Sequence, residues 1–153
     1  MAYRTHNTLF ILVVAILSML LSITFLQNST ASSSLSKLTE GGSLTIRLES
    51  SPNPIQSNEQ TQIKISFFKP NTVEIQPHID YDMIISETRT NKTIFQASNQ
   101  TGQAGLPLHT AESIVTIPFT FPNQGSYSVR VQVFGILFNP IAPESATFGI
   151  DAQ

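Results

Sequence analysis

The chain has 153 residues, no cysteine and a formal net charge of −2 at pH 7. Without cysteine it cannot form disulfides, zinc–thiolate sites or type 1 copper centres, whatever its redox compartment. Only 12% of its residues are charged, which argues against the clustered basic face that a nucleic-acid partner requires, so we expect no such partner.

The first predicted element is an apolar run, Leu9–Leu26, with no charge, proline or glycine. As a helix its length is about 27 Å, close to the hydrocarbon thickness of a bilayer. We predict a retained single-pass anchor in the cell membrane. The alternative is a signal peptide cleaved near Ala31, which gives the same topology. Cationic groups lie in residues 1–8 and none follows until Lys37, so the amino terminus is predicted to be cytoplasmic and the domain extracytoplasmic.

Residues 27–42 follow the predicted anchor and are rich in Ser, Thr and Gly. Such a segment buries too little apolar surface to fold, so we predict a flexible tether. As a coil it spans about 20–25 Å, which places the next domain just clear of the lipid headgroups. The remaining residues, 43–153, have the size of one small domain.

Within residues 43–153, short segments alternate between apolar and polar side chains and are separated by turn-forming residues. This period of two predicts strands, and the segment shows no helical period. Seven strands are predicted, at 44–49, 60–68, 79–87, 92–97, 113–121, 127–134 and 147–150. Pro118 lacks an amide donor, which indicates a sheet edge or a bulge. The pattern favours an all-β fold, a single Ig-like or fibronectin-like antiparallel β-sandwich of about seven strands, preceded by one transmembrane helix.

The tetrapeptide Gly-Ser-Tyr-Ser at 125–128 opens a strand directly after the turn FPNQ. It resembles the tyrosine corner of Ig-like folds, in which a tyrosine hydroxyl bonds back to the preceding connection. We expect Tyr127 to make that hydrogen bond. The intersheet disulfide and the core tryptophan of antibody domains are missing, because the chain has neither residue type.

The segment from PHIDYDMIIS through GLPLHTAESIVTIPFTFPNQGSYSVRVQVFGILFNPIAPESATFGI covers about half of the chain. It is similar to poorly characterised, membrane-anchored Ig-like β-sandwich proteins of ammonia-oxidising archaea. The resemblance implies an exported, anchored sandwich and brings no established activity. Those archaea rely on copper enzymes outside their membrane, including ammonia monooxygenase, so a role in copper handling or as a subunit of such a complex is a hypothesis to test.

A candidate metal site is the pattern His-x-Asp-x-Asp, formed by His78, Asp80 and Asp82. Alternate residues of a strand point to one face, so one imidazole and two carboxylates lie together. With His109 as a fourth ligand they can bind Cu(II) or Zn(II). The alternative is a solvated strand face and an unrelated loop histidine. Met83 is a potential soft ligand, but its apolar neighbours favour a place in the core.

A candidate partner-binding site is the connection Gly135–Pro143, which is unusually apolar for a loop. It carries Ile136, Leu137, Phe138 and Ile141. Exposed together, these side chains form an apolar tip suited to a partner protein or to the membrane surface. The alternative is that Leu137 and Ile141 fold back and close the end of the sandwich.

Asn91 and Asn99 lie in Asn-x-Ser/Thr sequons and are candidate glycosylation sites if the organism glycosylates exported chains. The chain contains no nucleophile elbow, phosphate loop, HExxH helix or dinucleotide fingerprint. We therefore expect a binding protein rather than an enzyme. The leading hypothesis is an interaction module or accessory subunit of a membrane protein complex. The alternatives are an extracytoplasmic copper-binding protein and a structural component of the cell envelope.

Overall fold

The computed structural model describes residues 33–102 and 105–153. The predicted cytoplasmic segment 1–8, the predicted anchor Leu9–Leu26 and the first six residues of the predicted tether lie outside the described residues. Within the described part of the chain, no helix is long and apolar enough to cross a membrane.

The described residues form nine strands and one short 3₁₀ helix, Ala97–Thr101. The strands are β1 Ser33–Leu38, β2 Thr45–Ser51, β3 Gln60–Phe68, β4 Ile79–Glu87, β5 Thr93–Gln96, β6 Leu108–Thr110, β7 Ile114–Thr120, β8 Gly125–Ile136 and β9 Asn139–Ala152. Each of the seven predicted strands overlaps an observed one. The two additional strands are β1 and β6.

The strands pair into two antiparallel sheets that pack face to face. One sheet has the order β1-β2-β3-β7, and the other has the order β5-β4-β8-β9, with β6 pairing with the start of β4. The predicted all-β antiparallel sandwich is confirmed. Its core lies between the sheets because alternate side chains of β2, β3, β4, β7, β8 and β9 point inward. The largest fully buried side chains include Phe67, Phe121, Phe148, Leu44, Ile46, Leu48, Ile63 and Ile65.

The structure corrects the predicted flexible tether over residues 33–42. Here β1 pairs with β2 in a continuous register, from Ser33 opposite Ser50 to Leu38 opposite Thr45. Its side chains are largely exposed, and the pairing uses backbone groups that every residue except proline supplies. The residue composition of this segment therefore does not predict a strand. The strand forms because β2 offers it unpaired backbone groups along one edge of the sheet.

Of the two positions that Pro118 predicted, a sheet edge or a bulge, the structure shows the edge. Strand β7 is the last strand of its sheet, where only β3 pairs with it, and Pro118 lies opposite Gln62. An edge strand has one side without ladder partners, so a residue without an amide hydrogen is tolerated in it.

The hydrogen bond predicted for Tyr127 is also confirmed. The hydroxyl of Tyr127 donates to the carbonyl oxygen of Asn123 at 2.7 Å, and the ring packs in the core 4.9 Å from Phe121. The bond fastens the turn before β8 to the strand itself, which fixes where β8 begins.

Candidate functional site

Three elements meet at one end of the sandwich, where β4 begins and β8 turns into β9. Asp80 on β4 lies opposite His109 on β6 and, on its other side, opposite Gly135 on β8. His109 is therefore on a short strand rather than in a loop, and His78 directly precedes β4. The structure brings His78, Asp80, His109 and Phe138 together, and we call these four residues the histidine cluster.

The predicted loop Gly135–Pro143 is instead a tight hairpin between β8 and β9. Ile136 pairs with Asn139, which leaves Leu137 and Phe138 as a two-residue turn. Both turn residues have positive φ, 52° and 63°, the conformation of a type I′ turn. Asn and Gly usually occupy these positions, because bulky side chains are strained there. The Leu137 amide donates to the His78 carbonyl at 2.7 Å and ties the turn to the cluster.

The hairpin divides the four predicted partner-binding residues into two pairs. Leu137 and Phe138 are 48% and 68% exposed. Ile136 and Ile141 are half-buried and pack against the core. Of the two residues that could have folded back over the end of the sandwich, Ile141 does so and Leu137 does not. The exposed apolar tip therefore consists of Leu137 and Phe138.

Phe138 connects the tip to the histidine cluster. Its ring centroid lies 4.3 Å from that of His78 and 5.4 Å from that of His109. The rings of Phe138 and His109 are nearly parallel, with an interplanar angle of 17°. The apolar tip and the candidate metal ligands, which the sequence presented as two separate sites, thus form one continuous surface.

Within the cluster, a hydrogen-bonded chain runs from His78 through His109 to Asp80. Nδ1 of His109 lies 2.7 Å from Oδ1 of Asp80, and Nε2 of His109 lies 3.4 Å from Nδ1 of His78. A carboxylate only accepts hydrogen bonds, so the network assigns the hydrogen of His109 to Nδ1. Nε2 of neutral His109 consequently presents its lone pair to His78.

Gly135 leaves the space that the Asp80 carboxylate occupies. A Cβ atom at residue 135 would collide with Oδ2 of Asp80 and lie 3.3 Å from the carbonyl oxygen of Asn139. The carboxylate therefore occupies space that any other residue at position 135 would fill. No pattern in the sequence distinguishes this glycine from one required for a turn.

Asp82 does not belong to the cluster, which corrects the predicted four-residue ligand set. It is only 4% exposed, and its carboxylate accepts four hydrogen bonds. The donors are the Met83 and Ser98 amides, the Ser98 hydroxyl and the Gln96 side-chain amide, at 2.7–3.0 Å. Asp82 shares a face with Asp80, as alternation predicts, but the 3₁₀ helix covers it. Its role is to hold that helix on the sheet.

The other candidate residues lie away from the cluster. Met83 is fully buried in the core, as expected. Asn91 and Asn99 are both exposed, in the turn after β4 and in the 3₁₀ helix. Burial and the neighbouring charge of Asp82 raise the pKa of Tyr81, which lies between the two sheets beside Phe67. Among the described residues, no group of three His, Cys, Asp or Glu side chains is placed to hold one metal ion.

No protein-family model matches the chain, and no curated protein is similar enough to count as a relative.

Proposed function

We propose that this chain is a membrane-anchored, Ig-like interaction module outside the cell membrane. In this proposal it serves as an accessory subunit of a membrane protein complex and binds a protein partner through Leu137 and Phe138. Ile136 and Ile141 support that tip from below. The Tyr127 hydrogen bond and the two antiparallel sheets support the Ig-like assignment.

The observation that carries the proposal is the conformation of the tip. Two large apolar residues occupy a turn that disfavours them, and both side chains are substantially exposed. Burial in the core of this chain does not explain them, since neither is in the core. Strained backbone that the fold does not need is concentrated at binding and switch sites. Contact with a partner gives these side chains the burial that this chain does not.

The position of the tip favours a protein partner over the lipid surface. Strand β1 begins at Ser33, so only residues 27–32 separate it from the predicted anchor, and they span at most about 20 Å. Ser33 lies opposite Ser50, near the end of β2. The connection after β2 bridges to Ala152, which pairs with Gly125 at the start of β8, whereas the hairpin lies at the other end of β8. Strand β8 spans about 40 Å between those ends. In an upright domain the tip therefore points away from the membrane.

The test is co-purification of partners from native membranes in mild detergent, using the tagged full-length chain. The variant carries Leu137→Asn and Phe138→Gly, which keep a two-residue hairpin and remove the apolar tip. Leu106→Ser, at another exposed leucine outside the hairpin, is the matched control. We expect wild type and control to retain the same partners and the tip variant to lose them at least tenfold.

Equal recovery of partners by the tip variant would overturn the proposed docking site. Recovery of no partner by any of the three proteins would favour the alternative of a structural component of the cell envelope.

A further inference from the structure

We infer that His78 and His109 bind one divalent transition-metal ion, with Zn²⁺ as the best geometric match, and that Asp80 orients His109 toward it. Metal binding here requires no docked partner, although Phe138 belongs to both the apolar tip and the histidine cluster. It differs from the four-ligand site predicted from the sequence, because Asp82 is engaged elsewhere and Asp80 contacts His109 instead of facing the ion.

The distance between the two imidazole nitrogens carries the inference. Nδ1 of His78 and Nε2 of His109 lie 3.4 Å apart. Two nitrogens bound to a tetrahedral Zn²⁺ at about 2.05 Å lie about 3.3 Å from each other. Cis ligands in a square-planar Cu²⁺ site lie closer, about 2.8 Å apart. The pair is thus already spaced for a tetrahedral ion, which replaces the hydrogen between the two rings.

Asp80 completes the arrangement that metal-binding histidines usually have. Such a histidine binds the ion through one nitrogen and donates its other N–H to a carboxylate or carbonyl. His109 does this through its 2.7 Å hydrogen bond to Asp80, and Gly135 leaves the space in which that carboxylate sits. The bond fixes the tautomer of His109 and makes Nε2 a better ligand.

The backbone around the pair is strained in the manner of a functional site. Apart from three asparagines, the described residues with positive φ outside glycine are His78, Ser113, Leu137 and Phe138. Three of these four belong to the cluster or the turn beside it. Positive φ in residues other than Gly, Asn, Asp and His is concentrated where function requires it, and Leu137 and Phe138 are such residues. Histidine adopts positive φ more readily than most residues, and here this conformation places Nδ1 of His78 opposite Nε2 of His109.

The cluster also leaves room for an ion and its remaining ligands. The side chains of His109 and Asp80 are 40% and 37% exposed, so an ion reaches them from solvent. Phe138 covers one side of both rings. Two protein nitrogens leave two positions of a tetrahedral ion for water. Imidazole ligands select against Mg²⁺ and Ca²⁺, which prefer oxygen.

The test is calorimetric titration of the full-length chain, purified in detergent without a histidine tag, with Zn²⁺, Cu²⁺ or Mg²⁺ alone. We expect one equivalent of Zn²⁺ to bind, Cu²⁺ to bind the same histidines because imidazole sites generally favour it, and Mg²⁺ not to bind. His78→Asn keeps a residue type that tolerates positive φ, and His109→Gln keeps a polar side chain of similar length. Each should weaken Zn²⁺ binding at least tenfold. Asp80→Asn should weaken it about 10–100-fold, the usual effect of removing such a partner.

Two matched controls accompany these variants. His6→Ala removes the third histidine of the chain, and Asp151→Asn removes a carboxylate on β9 at the opposite end of the sandwich. Both should bind Zn²⁺ as wild type does. Unchanged affinity in His78→Asn and His109→Gln, or loss of binding in His6→Ala, would overturn the inference.

The thermal transition of each cluster variant shows whether it is folded. If a variant is unfolded, X-ray absorption of the wild-type chain still tests the site. X-ray absorption of the Zn²⁺-loaded chain should show two imidazole nitrogens at about 2.0 Å. A first coordination shell without two imidazoles would equally overturn the site.

Discussion

Two aspartates two residues apart on β4 have different environments, and this difference is decided by their neighbours. The carboxylate of Asp80 is partly exposed and bonds to His109, whereas that of Asp82 is buried under the 3₁₀ helix with four donors around it. The sequence shows both on one face of a strand and cannot distinguish them. Gly135 is what leaves space for Asp80, and residues 96–98 are what close over Asp82.

Gly135→Ala should displace the Asp80 carboxylate and lower the free energy of unfolding by about 1 kcal/mol, because the new Cβ overlaps Oδ2 and lies 3.3 Å from the carbonyl oxygen of Asn139. Urea unfolding of the full-length chain measures the change. Gly149→Ala is the matched control, since a Cβ on this β9 glycine meets nothing within 4 Å. Equal free energies of unfolding for Gly135→Ala and Gly149→Ala would contradict this explanation.

At the scale of the element, the β8–β9 hairpin departs most from local sequence preference. A two-residue turn of this type favours Asn-Gly, yet it contains Leu137 and Phe138. The long register of the two strands holds the turn in this conformation. The conformation of this turn thus lowers the stability of the fold at the point that we propose for docking.

Replacing Leu137 with Asn and Phe138 with Gly should therefore raise the free energy of unfolding by about 1 kcal/mol, the relief of strain outweighing the loss of the contacts of Phe138 with the histidines. The urea midpoint, measured without any partner, checks this. A lower midpoint with an unchanged slope would show that Leu137 and Phe138 stabilise the fold and would remove the strain argument.

At the scale of the whole molecule, contacts along both sides join the two sheets. On one side Lys37 of β1 donates to the carbonyl of Thr147 on β9 at 2.6 Å. On the other, Phe95 of β5 packs edge-on against Phe119 of β7, with ring centroids 5.1 Å apart. Tyr81 lies in the core between the sheets, so its ionisation state reports on the integrity of the whole sandwich.

The raised pKa of Tyr81 predicts a loss of stability at alkaline pH. Burial, and secondarily Asp82, disfavour the phenolate in the folded state, so the unfolded state releases its proton first. Stability is unaffected below the ordinary tyrosine pKa of about 10 and falls as pH rises above it. Tyr81→Phe should lose less stability over that range in urea unfolding. Parallel curves for the two proteins above pH 10 would contradict this assignment.

The sequence by itself determined seven of the nine strands in the described residues and, where side chains alternate, which face of the strand is buried. Alternating residues such as Ile63, Ile65 and Phe67 can bury one face only in an extended chain, and that requirement is local. The edge position of Pro118 and the hydrogen bond of Tyr127 were predictable for the same reason, since each follows from a single residue and its immediate neighbours.

Only the tertiary structure decided the composition of the candidate site. Strands β1 and β6 are stabilised by backbone pairing with β2 and β4, and neither has an apolar pattern of its own. The pairing of β6 brings His109 to Asp80, and the hairpin brings Phe138 over both histidines. These residues are distant in sequence, and their proximity depends on strand register, which no local pattern specifies.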